Sequence, residues 1–370
     1  MEKPDRKEKS ERLPTVCIVI YALTAVSGLL YLLFTKIPSF SDWFNDHISR
    51  VGRRILSCLT VWLPFSVAEL FLLLLPVIAV GLILLAWRRY SHSLRASLCF
   101  SGRILAALCV VLILFVWCFA PGYYGATLDR RIGLDRTAVE TEELFQTSKI
   151  LQEELNALAA DLELDETGAS VMPYSRSEMN KKLMSAYDTV REEYDFPDHF
   201  WSRTKPVLCS PLLSYMHITG IYSFFTGESN INIDFPDYTV PFTAAHELAH
   251  QRGVAREDEA NFVAFLVCIS SEDPYIRYSG LLSVYEYTID ALYTADPVLC
   301  RASVAGLHDN ILSEEQAYAE FFKKYRHNLA ATVSDATNNA YLQSQGAKEG
   351  ARSYDMVVDL TVAFYREKNP

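Results

Sequence analysis

The chain has 370 residues, half of them hydrophobic, with eight cysteines and a formal net charge of −11. That length is enough for one sizeable domain plus extra segments, and the acidic balance argues against nucleic acid as a partner, because phosphate binding needs clustered Lys and Arg. Cys17, Cys58, Cys99, Cys109 and Cys118 fall in or near the apolar N-terminal third, and Cys209, Cys268 and Cys300 are widely spaced. This pattern argues against both a disulfide framework and a Cys-based zinc site.

Residues 1–15 form a polar tail with several Lys and Arg and no cleavage signature, and read as a cytoplasmic tail. A membrane domain is expected over residues 16–120, with transmembrane helices at about 16–35, 67–87 and 104–120. Each approaches the roughly twenty apolar residues that a helix needs to cross a bilayer. The first run is too long for a signal-peptide core and lacks a small-residue cleavage site, so it reads as an anchor. Pro76 in the second is tolerable, since helices in lipid accept proline more readily than soluble ones. Three buried soluble helices are the alternative, but uncharged runs of this length are rare in soluble cores.

Basic residues predict the orientation. The tail carries Lys3, Arg6, Lys7, Lys9 and Arg12, and the short second loop carries Arg88, Arg89, Arg95 and Arg103. The longer first loop has Lys36, Arg50, Arg53 and Arg54. The positive-inside rule then places tail and second loop in the cytoplasm and residues 121–370 outside. Trp43, Phe44 and Trp62 suggest that part of the first loop lies on the membrane surface.

After Pro121-Gly122 the composition becomes that of a globular domain. Helical periodicity runs over 137–164, and a second helix is expected over 177–194, capped by Ser177. Residues 205–232 are rich in aromatic and β-branched side chains, and 221–225 and 229–234 read as short strands around Thr226-Gly227. Further helices are expected at 256–270, 274–294, 313–332 and 353–366. The fold class is therefore mainly α with a small β element (α+β), three transmembrane helices followed by a helix-rich extracytoplasmic domain.

The stretch that carries chemistry is Pro241 to Asn261, PFTAAHELAHQRGVAREDEAN. It contains His246-Glu247-Leu248-Ala249-His250, an H-E-x-x-H sequence. Residues i and i+4 share a helix face, so both imidazoles can reach one metal ion, while Glu247 can face a water beside it. Zinc lowers the pKa of bound water to about 7, and the carboxylate can take its proton. Thr239 and Pro241 suit a helix start and Gly253 its end. A third ligand must come from Glu257-Asp258-Glu259. Glu257 and Asp258 suit an exposed helix start. Glu259 shares a face with Phe262, Val263 and Leu266, and an inward carboxylate needs a partner, so Glu259 is the expected ligand, with the other two as alternatives.

Glu228, Asn230 and Asn232, on the second strand, are candidates for orienting an extended peptide by main-chain pairing. Tyr278 and Arg277 are candidates for stabilising an oxyanion. His199, His217, His308 and His327 have no partner spacing and read as ordinary histidines.

The combination of GIYSFFTGESNIN, PFTAAHELAHQRGVAREDEANFVAF, RYSG and YLQSQGAKEGARSY resembles a bacterial membrane-protein family, domain of unknown function 3810. The resemblance implies a multi-span protein of the bacterial cytoplasmic membrane with a zincin-like metal site. H-E-x-x-H with a downstream Glu-Ala-Asn also resembles the gluzincin metallopeptidases, whose third zinc ligand is a glutamate on the next helix. In that comparison Asn261 stands where an Asp is common, and it can accept a hydrogen bond from a ligand His without adding charge. The metzincin pattern matches at Gly253 but fails at Arg256, which occupies the third-His position.

The expected function is a membrane-anchored zinc-dependent hydrolase, a metallopeptidase with Glu247 as general base, whose partners are the lipid bilayer and a peptide or protein substrate. The alternatives are a membrane sensor or scaffold with a structural zinc, and an amidase acting on lipid or cell-wall substrates.

Overall fold

The computed structural model describes residues 12–91, 93–194, 196–326, 328–350 and 356–368. Most of the N-terminal tail, His327 and the start of the helix expected at 353 lie outside the described residues. The chain opens with α1 (Thr15–Lys36), long and apolar enough to cross a membrane. The first loop folds into α2 (Pro38–Phe44), a π-helical turn (Asn45–Ser49) and α3 (Arg50–Thr60). Two further helices of spanning length follow, α4 (Val67–Arg89) and α5 (Leu94–Cys118). The Ser66 hydroxyl accepts from Glu69 N at 3.0 Å and the Ser93 hydroxyl from Ala96 N at 3.1 Å, so both helices start on a side-chain cap. That cap starts α5 well before the apolar run expected at 104, and Arg95 and Arg103 ride on its polar end.

The three apolar helices are not equivalent. α1 and α5 pack along each other, Tyr21 donating to Gly102 O at 2.6 Å and Trp117 to Ser27 Oγ at 2.9 Å. None of the most apolar window of α4 is buried.

Beyond a 3₁₀ turn (Ala120–Tyr123) come α6 (Leu128–Ile132), α7 (Thr141–Ala159) and α8 (Arg176–Tyr194). Next are β1 (Thr204–Pro206), α9 (Ser210–Tyr215), β2 (Gly220–Ser223) and β3 (Glu228–Ile231). Then follow α10 (Thr239–Gln251), α11 (Glu257–Ile269), α12 (Pro274–Ala295), α13 (Pro297–Val304), α14 (Asp309–Lys323), α15 (Leu329–Ser344) and α16 (Val357–Lys368). The single helix expected at 313–332 is thus two helices, and Asn328 caps the second by accepting from Ala331 N at 2.8 Å. The fold is mainly helical with one small mixed sheet, strand order β1-β3-β2. β3 is central, parallel to β1 (Thr204↔Ser229) and antiparallel to β2 (Gly220↔Ile231, Ser223↔Glu228).

The core is built around α10 and α11, every residue from Val240 to Gln251 and from Glu257 to Cys268 being buried. α12, α8 and the sheet cover them. The membrane-proximal loop belongs to this body. Arg53 of α3 is 1% exposed, and its guanidinium donates to Asn45 Oδ1 (2.8 Å), Cys118 O (2.9 Å) and Arg252 O (3.4 Å). Asn45 Nδ2 donates to Gly253 O at 3.2 Å, and Gln251 Nε2 to Ser57 Oγ at 3.2 Å. Gly253 has φ +98°, and a Cβ there would lie 2.3 Å from Arg53 Nη2, so the turn admits only glycine.

Candidate metal centre

α10 begins at Thr239, whose hydroxyl donates to Pro236 O at 2.9 Å. Thr239 therefore lies inside the helix instead of capping it, and Pro241 sits at its third position, still within the turn that lacks internal N–H bonds. One turn and a half further on, His246 and His250 stand side by side with ring centroids 4.6 Å apart and planes perpendicular. His246 Nδ1 lies 2.8 Å from Asn261 Oδ1, and His250 Nδ1 lies 2.7 Å from Val254 O. An amide oxygen and a carbonyl only accept, so Nδ1 is the donor in both rings and Nε2 faces the common space, bare in the neutral ring.

Glu257 closes that space. Its Oε2 is 3.3 Å from His246 Nε2 and 3.3 Å from His250 Nε2. The three donor atoms lie within 4.8 Å of one another, and all three residues are buried. The structure brings Glu257, one of the two alternatives, to the histidines, and not the expected Glu259. All three acids of the run are buried, so burial does not distinguish them. Geometry does: residues two apart on a helix point to nearly opposite sides, and Glu257 at the first position leans back toward the turn and over the histidines. Glu259 accepts instead from Leu128 N (3.0 Å) and Arg256 Nη1 (3.3 Å), and Asp258 pairs with Arg136 at 3.1 Å.

The electrostatics favour a cation at this point. Burial would lower the His250 pKa, but the adjoining Glu257 carboxylate outweighs it and raises the ring to about 9. For Glu257 the cost of burial is overcome by the two imidazoles, which hold its carboxyl well below the usual range. Two nitrogens and one carboxylate oxygen are a donor set suited to zinc. Glu257 Oε2 and Glu247 Oε2 are two of the buried polar atoms without a hydrogen-bond partner among the described residues, so the residues present fit such an ion.

Glu247 lies beside this trio. Burial raises its carboxyl to about 7 against the pull of His246 and His250, and it accepts a hydrogen bond from the Tyr222 backbone N–H. β2 can run this close because Gly220 has no side chain: a Cβ there would lie 2.6 Å from Glu247 Oε1. Ser229 of the neighbouring strand donates to Glu247 O at 2.8 Å. The β2 edge facing Glu247 is unpaired in the sheet, and Ile221 is 46% exposed on it.

Other expected site residues stand elsewhere. Glu228 does not face a groove. Its carboxylate accepts from Val67 N (3.0 Å) and Ala68 N (2.9 Å) at the start of α4 and pairs with Lys205 at 2.5 Å. Asn230 donates to Ile221 O (3.1 Å) and Asn232 to Ile218 O (2.9 Å), both buried and holding the sheet together. Because β3 is central, its main chain is already paired on both sides, and β2 is the strand with a free edge at the site. Tyr278 is fully buried beside Tyr275, with ring centroids 6.4 Å apart and Glu314 as its leading charged neighbour. Arg277 serves the charge balance of Glu154 and Tyr365. Neither is placed at the histidines.

Sequence reasoning missed an aromatic wall. Phe119 meets His250 edge-on at 5.9 Å, and the Tyr123 and Tyr341 hydroxyls are 3.1 Å apart. Burial, with Glu257 nearby, pushes the Tyr341 hydroxyl up to about 12, so it stays protonated. Tyr341 opens the tail motif YLQSQGAKEGARSY, but no spacing in the sequence ties it to a site 84 residues upstream.

A protein family described as "Protein of unknown function (DUF3810)" matches residues 44–362, which is most of the chain. No curated protein and no solved structure matches.

Proposed function

As this chain belongs to the DUF3810 family, whose description assigns no activity, we propose its function from the site itself: a membrane-anchored, zinc-dependent hydrolase acting on peptide bonds. The observation that carries this reading is Glu257 Oε2, set 3.3 Å from both His246 Nε2 and His250 Nε2 beside the non-ligand carboxylate of Glu247. His246, His250 and Glu257 would hold the ion. When bound, zinc supplies a Lewis acid that polarises a carbonyl and makes a nearby water a better nucleophile.

The chain's own residues do the rest. Glu247, a buried carboxylate beside the trio, is placed to take a proton from the attacking water and deliver it to the leaving nitrogen. Gly220 presents its backbone groups outward at the β2 edge and Tyr222 its carbonyl, the Tyr222 N–H being held by Glu247, and an extended peptide can add there as a further strand. Asn261 and Val254 O fix the imidazoles, and the wall of Phe119, Tyr123 and Tyr341 excludes bulk water from one side. The basic tail and second loop support an extracytoplasmic site on a bacterial cytoplasmic membrane.

The test uses full-length protein purified in detergent. Zinc is measured in the wild type, His246→Ala and Glu247→Gln, and hydrolysis is followed on a degenerate peptide library. The expected result is one zinc in the wild type, none in His246→Ala, and retained zinc with a loss of about 10²–10⁴-fold in rate for Glu247→Gln. Unchanged hydrolysis by Glu247→Gln would remove the catalytic reading and leave a structural metal.

A further inference from the structure

The centre lies at the end of the spanning helices. Phe119, which meets His250, follows α5 directly, and Phe115 in the last turn of α5 touches Phe224 with ring centroids 5.3 Å apart. Phe71 near the start of α4 touches Phe225 at 5.9 Å. The tip of the β2–β3 hairpin therefore bridges α4 and α5 at the level where both leave the apolar layer. Below it, α5 packs on α1, whereas the apolar window of α4 is unburied. The top of α4 is nevertheless fixed, since Glu228 holds its first N–H groups.

These contacts outline a cleft between α4 and α5, with the hairpin as its roof. β2 leads from that roof to the reactive carboxylate. From Phe224 to Gly220 is four residues of extended chain, about 13 Å at about 3.3 Å per residue. The cleft is thus continuous with the free edge of β2, the strand whose Tyr222 N–H reaches Glu247.

We infer that the polypeptide hydrolysed here is itself membrane-anchored: its spanning helix lies in the cleft between α4 and α5, and the extended residues next to it run along the β2 edge to Glu247. This rests on the hydrolase reading above. It sets a ruler, because a segment leaving the bilayer at Phe115 reaches Glu247 within about four residues. Confinement in the bilayer also raises the effective concentration of the cleavable segment.

The experiment reconstitutes the zinc-loaded full-length protein in vesicles of phosphatidylethanolamine and phosphatidylglycerol. The probe is a synthetic Leu/Ala helix of about twenty residues carrying a degenerate polar tail, compared with the same tail free in solution. Mass spectrometry locates the cleaved bonds. In parallel, Leu75 or Leu108, which share helix faces with Phe71 and Phe115, is replaced by benzoylphenylalanine in a Glu247→Gln background and photo-cross-linked.

The anchored tail should be cut roughly a hundredfold faster than the free one, at bonds within about four residues of the helix, and both positions should cross-link to the peptide. Equal cleavage of the free tail, cut sites independent of distance from the helix, or cross-links to lipid alone would overturn the inference while leaving the hydrolase reading intact. Cross-linking to the peptide without any cleavage by the wild type would keep the cleft as a helix-binding site and overturn the hydrolase reading instead.

Discussion

His246 and Asn261 are joined by a bond from Nδ1 to Oδ1 of 2.8 Å, and this contact between α10 and α11 sets which nitrogen of His246 is free to bind. Partners of this kind fix the ring's tautomer and orientation, and their loss typically costs 10–100-fold in metal affinity. Asn261→Leu should therefore weaken zinc binding by about that factor in a chelator-competition titration, with the fold preserved. Asn261→Asp should bind zinc at least as tightly as the wild type, because a carboxylate makes the imidazole more basic. An Asn261→Leu protein of undiminished affinity would show that the ring is oriented by something else.

Glu257 and Glu259 make separable predictions. Glu257→Gln removes the negative donor that faces both Nε2 atoms and should abolish stoichiometric zinc. Glu259→Gln should keep it, because that carboxyl serves Leu128 N and Arg256. Metal analysis of the two purified variants decides the matter; zinc lost from the second and not from the first would reverse the assignment.

Gly220→Ala isolates the strand's approach. The added methyl would press on Glu247 Oε1 and Thr243 Cγ2 at distances below van der Waals contact. Strand and carboxylate must separate, and a misplacement of about 1 Å at a catalytic group costs on the order of a hundredfold in rate. Zinc content should not change. The measurement is turnover on the peptide library beside metal analysis of the same sample.

Away from the histidines, Glu314 gives a pH prediction. Burial raises its carboxyl to about 7, although the Ser170 hydroxyl and N–H pull the other way and Glu315 and Asp165 add to the rise. A folded-state pKa above the unfolded value means that the native state binds this proton more tightly. Its contribution to stability is complete below the unfolded carboxyl pKa of about 4.3 and is lost as pH rises toward about 7. Thermal unfolding in detergent should show Tm falling across that interval, and Glu314→Gln should flatten the fall. An unchanged slope in the variant would mean that another group, such as the Glu286–Glu315 carboxyl pair, carries it.

Much of this architecture was legible in the sequence for identifiable reasons. Apolar runs mark the three long helices, though the Ser93 cap that starts α5 at Leu94 lies outside its apolar run, and the i, i+4 histidines share a face because a helix forces it. The acid run was harder. Ligand choice there depends on the Gly253 turn, which starts α11 at Glu257 and throws that residue back over α10, while periodicity places Glu259 inward as well. The strand residues misled for a different reason: Glu228, Asn230 and Asn232 are polar and alternate, as an edge strand would, yet β3 is central and uses them to cap α4 and hold its neighbours. The third strand, Thr204–Pro206, is too short to leave a pattern. The wall of Phe119, Tyr123 and Tyr341 joins segments far apart in the chain, and no local signal reports such a meeting.

The turn that ends the histidine helix is moulded around the guanidinium of a residue made 200 positions earlier. At about 5–20 residues per second, Arg53 leaves the ribosome roughly 10–40 s before Gly253 does. The first loop is therefore already between its helices when the histidines are synthesised, and the later part of the chain folds onto a mould that is waiting for it. A gene fragment starting after α5 would supply the casting without the mould: the Arg252 carbonyl would face a hollow the shape of a missing arginine, the Gly253 carbonyl would lose Asn45, and Glu228 would have no helix end to cap.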